Sequence, residues 1–154
     1  MTEVSRQPKG CTNFKLRQLL RGVARLYDAE LGQVGLKGTQ FSLLSALHGY
    51  GPIAPGELSR RLGMDPSTLT RNVRLLIDQG WVAQGPGSDP RSRSLALTAS
   101  GRAKQLEAKA HWKRAQLALN ERLGVTEVAT LHRLIDGALT RLGPAAHSSD
   151  EEGP

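Results

Sequence analysis

The sequence predicts a mainly α fold with one small antiparallel β-hairpin. Three observations carry that prediction. Apolar residues recur at helical spacing through most of the chain. The segment 81–97 instead has a short strand pattern, half or wholly covered, at Trp81 to Gln84, a Gly/Pro-rich turn, and period two at Leu95 and Leu97. Two helical patterns within 55–80 are joined by only Gly63-Met64-Asp65, the short connection of a helix-turn-helix. A helix-turn-helix followed by a basic hairpin is a winged helix.

The elements follow in order. The chain has 154 residues, enough for one domain with a real core. Residues 1–10 are polar and expected to be mobile. The first long helix is expected over Thr12 to Leu31, with Leu16, Leu19, Leu20, Val23, Leu26 and Tyr27 as a wide apolar stripe. Lys15, Arg17, Arg21 and Arg25 lie among them, and Gly32 and Gly35 break the helix. Thr39 is the expected cap of a second helix that reaches Leu47 and is broken by Gly49-Tyr50-Gly51-Pro52. Ile53 is placed to add a short third strand to the hairpin.

The helix from Pro55 to Leu62 has Leu58 and Leu62 as its core pair, and Gly63 can take the positive φ that the turn needs. Asp65 then caps the next helix, with Pro66 at its first position, where a missing N–H is harmless. Leu69, Val73, Leu76 and Ile77 share one face. At about 100° per residue, Ser67, Thr68, Arg71 and Arg74 fall towards the opposite side. Gly80 ends the helix. Trp81 to Gln84 form one strand of the hairpin, and Leu95 and Leu97 give period two in the other. Gly85-Pro86-Gly87-Ser88-Asp89-Pro90 is turn chemistry, with Arg91 and Arg93 just past the tip. Thr98 is the expected cap of a long helix to Leu123, along which Ala99, Ala103, Leu106 and Ala110 follow i, i+4, i+7, i+11. Thr126 is the expected cap of the last helix, whose Val128, Leu131, Ile135, Ala138, Leu139 and Leu142 are strongly periodic. A stripe that long on a terminal helix wants a partner. His147 to Pro154 form a polar, acidic tail, expected to be disordered.

Composition narrows the function. A formal net charge of +7 and a pI near 10.2 suit a polyanionic partner. Only 4% of residues are aromatic, too few ring faces for an RNA-stacking platform. No apolar run approaches the roughly 18 residues of a membrane span, and no charged-then-apolar leader begins the chain. The cytoplasm is the expected location. The sole cysteine excludes an intramolecular disulfide framework. The four histidines are scattered, and no His-x-x-x-His or Cys-x-x-Cys pair offers a metal site, so no metal and no cofactor is expected. No phosphate loop, nucleophile elbow or Cys/His dyad marks an enzyme.

The order MDPSTLTRNVRLLIDQGWV, then DPRSRSLALTASG, resembles the MarR family of bacterial transcriptional regulators. Asp89-x-Arg91 and the following Leu97-Thr98-x-x-Gly101 are the most specific marks, and the resemblance covers about residues 12–143. It implies a winged helix-turn-helix over 36–98 with a helical dimerisation region over 12–35 and 99–143, all in one domain. It also implies a homodimer on palindromic double-stranded DNA, usually a repressor released by a small ligand or by oxidation. Ser67, Thr68, Thr70, Arg71 and Arg74 are then expected at the major groove or its flanking phosphates, since arginine pairs bidentately with guanine and hydroxyls bond phosphates or bases. Arg91, with Arg93, is expected to enter the minor groove or grip the backbone, while Asp89 pairs with an arginine and stiffens the wing. A pocket is implied between the dimer arm and the winged region, where Arg17, Arg21, His48 and Trp112 are the candidates to meet an acidic aromatic ligand.

Two alternatives stand beside this reading. Cys11 lies near the start of the first helix, where thiols become reactive. The family has a hydroperoxide-sensing branch with a cysteine in this region, but inside the helix and near two tyrosines. Cys11 falls about a turn earlier, with Tyr27 matching one partner and Gly38 or Thr39 standing where the other is expected. The second alternative is a winged-helix protein-interaction module without DNA affinity, against which the arginine-bearing helix face argues.

Overall fold

A computed structural model describes residues 7–143. The acidic tail with His147 lies outside the described residues. The order is α1 (Thr12–Leu31), a 3-10 turn (Gly32–Val34), α2 (Gly38–Tyr50), α3 (Pro55–Leu62), α4 (Pro66–Asp78), β1 (Val82–Pro86), β2 (Arg93–Leu97), α5 (Ala99–Leu123) and α6 (Val125–Leu142). It is a mainly α fold with a small antiparallel β wing. Among the described residues no helix is long and apolar enough to cross a membrane.

The core lies where α2, α3, α4 and the hairpin meet. Leu43, Leu44, Leu47, Leu58, Leu76 and Leu95 are wholly buried there. The hairpin pairs Val82 with Leu97 and Gln84 with Leu95, so Val82, Leu95 and Leu97 face inward. The expected third strand is a single bridge, with Ile53 and Leu95 exchanging both backbone hydrogen bonds at 3.0 and 2.8 Å. The turn between α3 and α4 is tied from inside. Gly63 takes φ 58, and buried Ser59 donates its hydroxyl to the Met64 carbonyl at 2.6 Å.

Trp81 stands just before β1 and is half-buried against the core. Its N–H donates to the Leu76 carbonyl at 3.0 Å and its carbonyl accepts from Thr98 N–H at 3.0 Å, so one residue joins the end of α4 to the start of α5. Thr98 caps α5 as expected, its hydroxyl oxygen accepting from Gly101 N–H at 3.0 Å.

Three expectations change. The α5 stripe Ala99, Ala103, Leu106 and Ala110 is exposed, and the buried face carries Gly101, Gln105, Ala108 and Ala115 instead. At the start of the helix close approach explains it: a Cβ on Gly101 would stand 1.9 Å from the Trp81 carbonyl oxygen, so only glycine fits there, while Gln105 one turn on turns its amide to the Ser45 hydroxyl. Second, α2 begins at Gly38 rather than after a Thr39 cap, and it runs through Gly49 to Tyr50. Asp28 of α1 accepts from the Gly38 N–H at 2.7 Å, and the Gln40 side chain accepts from the Lys37 N–H at 2.9 Å. These acceptors satisfy the first amides, so Thr39 is not needed as a cap. Third, α6 begins at Val125 with Gly124 as its cap, which leaves Thr126 inside the first turn.

The arm of α1, α5 and α6 is held by side chains as well as packing. Glu30 meets Arg114 at 3.3 Å and His111 at 3.4 Å, and the Tyr27 hydroxyl donates to Gln116. Its outer faces are bare. Phe14, Leu16 and Leu20 of α1 and Leu134, Leu139 and Leu142 of α6 are all exposed.

Candidate nucleic-acid interface

The α4 face opposite its core residues forms the centre of the site. Leu69, Val73 and Leu76 are buried, which turns Ser67, Arg71 and Arg74 outward; Thr70 is exposed on one flank and Thr68 is half-buried on the other. Asp65 holds the start of the helix. Its carboxylate accepts from Ser67 N–H at 3.1 Å and Thr68 N–H at 3.3 Å, and also from the Ser67 hydroxyl. Those bonds, led by the Ser67 hydroxyl, hold the Asp65 carboxyl below its ordinary range.

The hydroxyls are less free than the sequence implies. Ser67 gives its proton to Asp65, and Thr70 gives its proton to the Pro66 carbonyl at 2.9 Å. In these rotamers both present acceptor lone pairs, suited to base amino groups rather than phosphate oxygens. The guanidiniums are freer. Among the described residues neither Arg71 nor Arg74 takes part in an ion pair.

The wing is ordered by its acid, although by another route than expected. Asp89 Oδ1 accepts from the backbone N–H groups of Arg91 at 2.8 Å and Ser92 at 3.0 Å. The Ser92 hydroxyl in turn donates to the Asp89 carbonyl at 3.1 Å. Among the described residues Asp89 forms no ion pair with an arginine; a short loop brings amides closer to the carboxylate than a long side chain. Arg91 stands exposed at this tip. Arg93 is the first residue of β2 and donates to Gln84 Oε1 across the hairpin at 3.1 Å, so it lies along the wing. The sequence did not single out Gln84; the register sets Pro86 opposite Arg93 and Gln84 opposite Leu95, so the long Arg93 side chain reaches Gln84 diagonally across the hairpin.

Between α4 and the hairpin runs a groove of about 370 Å³ whose walls include Thr70, Arg74, Asp78, Gln84 and Leu95. A second cavity, of about 520 Å³, opens between the arm and the winged region. Leu20, Tyr27 and Asp28 of α1, Lys37, Phe41 of α2 and Trp112 of α5 line it. Phe41 and Trp112 stack there with ring centroids 6.1 Å apart. Burial pushes the Tyr27 phenol above its ordinary range.

Of the four residues expected around a ligand, Trp112 alone lines this cavity. Arg17 donates to Asn13 Oδ1 at 3.2 Å on the exposed half of α1, Arg21 is exposed one turn further on, and His48 is exposed near the end of α2. The cavity follows the apolar stripe of α1, and these side chains stand off it. Cys11 is exposed at the N-cap of α1. Sixteen residues of helix put Tyr27 roughly 24 Å away along the axis, so one chain does not bring the two together. Among the described residues no group of His, Cys, Asp and Glu is arranged to hold a metal ion.

Comparison with known proteins places this geometry. A family model described as MarR family matches residues 34–92. The multiple antibiotic resistance protein MarR of Salmonella typhimurium is 32% identical over 115 residues, which are 72% of this chain and 78% of that protein. An uncharacterized HTH-type transcriptional regulator of Bacillus subtilis, YwoH, is 31% identical over 84 residues, spanning 54% of this chain and 61% of that protein. Among solved structures, a mutant MarR from E. coli complexed with operator DNA superposes with a TM-score of 0.76 at 27% identity, covering 82% of this chain and 92% of that one.

Proposed function

The chain belongs to the MarR family of winged-helix transcriptional regulators, and on that premise we propose that it is a homodimeric repressor that binds an inverted-repeat operator and releases it when a small ligand binds. It is a transcriptional regulator and not an enzyme. In this reading residues 36–98 recognise double-stranded DNA and residues 12–35 and 99–143 form the dimer, in the cytoplasm.

The α4 face carries the proposal. Two guanidiniums that form no ion pair among the described residues project from a helix whose start is fixed by Asp65 and whose opposite face is locked in the core. Arg71 and Arg74, with the acceptor oxygens of Ser67 and Thr70, meet base edges in the major groove; Thr68 faces the flanking backbone. Arg91, on the tip that Asp89 orders, meets the minor groove or its phosphates, and Arg93 supports it from the strand. The bare leucines of α1 and α6 support a dimer, because exposed apolar patches of that extent are uncommon on monomers. A two-fold axis sets the two α4 helices about one helical turn of DNA apart, roughly 34–36 Å. The E. coli relative solved on operator DNA supports the same use of this surface.

The cavity between arm and winged region is the effector site in this reading. Its Phe41–Trp112 stack suits a flat apolar body, and Lys37 takes the cationic place that Arg17, Arg21 and His48 do not fill. The test is selection of the full chain on a random duplex pool, followed by affinity at several salt concentrations. An enriched inverted repeat is expected. Failure to enrich any duplex, with the chain folded and dimeric, overturns the DNA-binding reading.

A further inference from the structure

Resting on that reading, we propose that Asp28 is a positioning residue: the carboxylate through which the dimer arm fixes the direction of the winged region. The α2 helix starts without a side-chain cap of its own at Lys37. Its first amide, Gly38 N–H, is satisfied instead by Asp28 Oδ1 at 2.7 Å, from ten residues upstream on another helix. A carboxylate at a helix N-terminus is favoured by both the orphan amides and the helix dipole. The bond spans the bend between the two regions, where the chain leaves α1 through the 3-10 turn Gly32–Val34 and Gly35 takes φ 74.

Close packing reinforces the latch. A Cβ on Gly38 would stand 3.4 Å from Asp28 Oδ1 and 3.9 Å from Tyr27 Cβ, ordinary van der Waals contact, so the start of α2 lies directly against α1. A further polar tie between arm and winged region, Gln105 Nε2 to Ser45 Oγ, is long at 3.5 Å. The Asp28 bond is therefore the tighter of these two restraints on how α2 stands relative to the arm, while Trp81 and Thr98 tie the end of α4 to the start of α5 at the other junction. Asp28, Lys37 and Gly38 also line the cavity beside Trp112, so the latch lies in the wall of the proposed effector site.

A dimer whose winged regions are rigidly aimed must be sensitive to half-site spacing, since one inserted base pair turns the half-sites by roughly 35° relative to each other. The experiment takes the duplex selected by wild type and adds or removes one base pair between its half-sites. Wild type is expected to lose at least about tenfold in affinity, the scale of one mismatched base pair. Asp28→Ala is expected to reduce that loss to about threefold. Asp28→Asn, which keeps an acceptor oxygen, is expected to restore the wild-type profile. A merely stabilising cap would lower Tm and leave the spacing profile unmoved, so an Asp28→Ala profile matching wild type overturns the proposal. If wild type selects no duplex, the DNA-binding reading fails separately. The latch is then decided by spin labels at Arg25→Cys and Gln79→Cys of one chain in a Cys11→Ser background. Broadening of their distance distribution in Asp28→Ala, reversed in Asp28→Asn, supports it, and unchanged breadth overturns it.

Discussion

The winged region and the arm bury their leucines by different means. Between α2 and β2 the chain covers itself: Leu43, Leu44, Leu58, Leu76 and Leu95 are all inside. In the arm the same residue type stands in water, with Leu20 66% exposed, Leu139 62% and Leu142 83%. Four elements surround the winged core, whereas α6 rests chiefly on α5 and turns its far side outward. The two stripes look equally apolar as sequence. A stripe states that surface must be covered; it does not state whether the cover comes from the same chain.

That contrast can be broken most directly in the arm. Ile135→Asp with Leu139→Asp puts a pair of carboxylates into the proposed interface, repeated by the two-fold axis, and unpaired buried ions cost several kcal/mol each. Light scattering is expected to show a monomer, with the helical circular dichroism of the winged region retained. A persisting dimer would show that α6 is not the interface.

Truncations sharpen the same comparison. Leu44→Ala opens a cavity in a core the chain closes itself and is expected to cost about 2–5 kcal/mol in denaturant unfolding, whatever the protein concentration. Leu139→Ala acts through the partner, so its effect should depend on concentration. If Leu44→Ala proves concentration-dependent too, the winged region is not self-sufficient.

Outward-facing arginines should behave oppositely to core leucines. Arg71→Ala is expected to leave the melting curve unchanged, cost about 1–3 kcal/mol on the selected duplex and relax preference at one base pair per half-site. Arg91→Ala, if its contacts are to the backbone, weakens all sequences alike and lowers the slope of log affinity against log salt by about 2 per dimer. Unchanged affinity in both variants, with folding intact, removes this surface from DNA recognition.

The smallest effect concerns pH. The Asp65 carboxyl is held below its ordinary value by the amides and hydroxyl it caps, so the charged form is favoured on folding. Its contribution is present above the unfolded value of 3.8 and is lost as pH falls through the lowered folded value. Asp65→Ala should therefore lower Tm at neutral pH and converge on wild type in strong acid. Asp65→Asn, which also caps helices, should lie between them at neutral pH. Parallel Tm curves for wild type and Asp65→Ala down to pH 2 would contradict this account.

Much of the winged region was legible because its signals are local. Asp65-Pro66 starts α4 through bonds to residues two and three ahead, and Gly63 turns the chain within one residue. Period two in Leu95 and Leu97 marks a buried strand face without reference to anything distant. The outward placement of Arg71 and Arg74 follows from the position of Leu69, Val73 and Leu76 on the same helix. These are consequences of backbone geometry and nearest neighbours, which a sequence states directly.

Tertiary structure decided whatever depends on a neighbour far along the chain. It chose the α5 face of Gly101, Gln105 and Ala108 over the more apolar-looking one, and at Gly101 the carbonyl of Trp81 leaves no room for a side chain. It moved the start of α2 from Thr39 to Gly38, because Asp28 reaches across from another helix. It gathered Lys37, Asp28 and Trp112 around one cavity and left Arg17, Arg21 and His48 outside. Helical spacing ranks faces by hydrophobicity, but steric room and hydrogen-bond satisfaction between distant segments decide which face is used, and those exist only once the chain has folded.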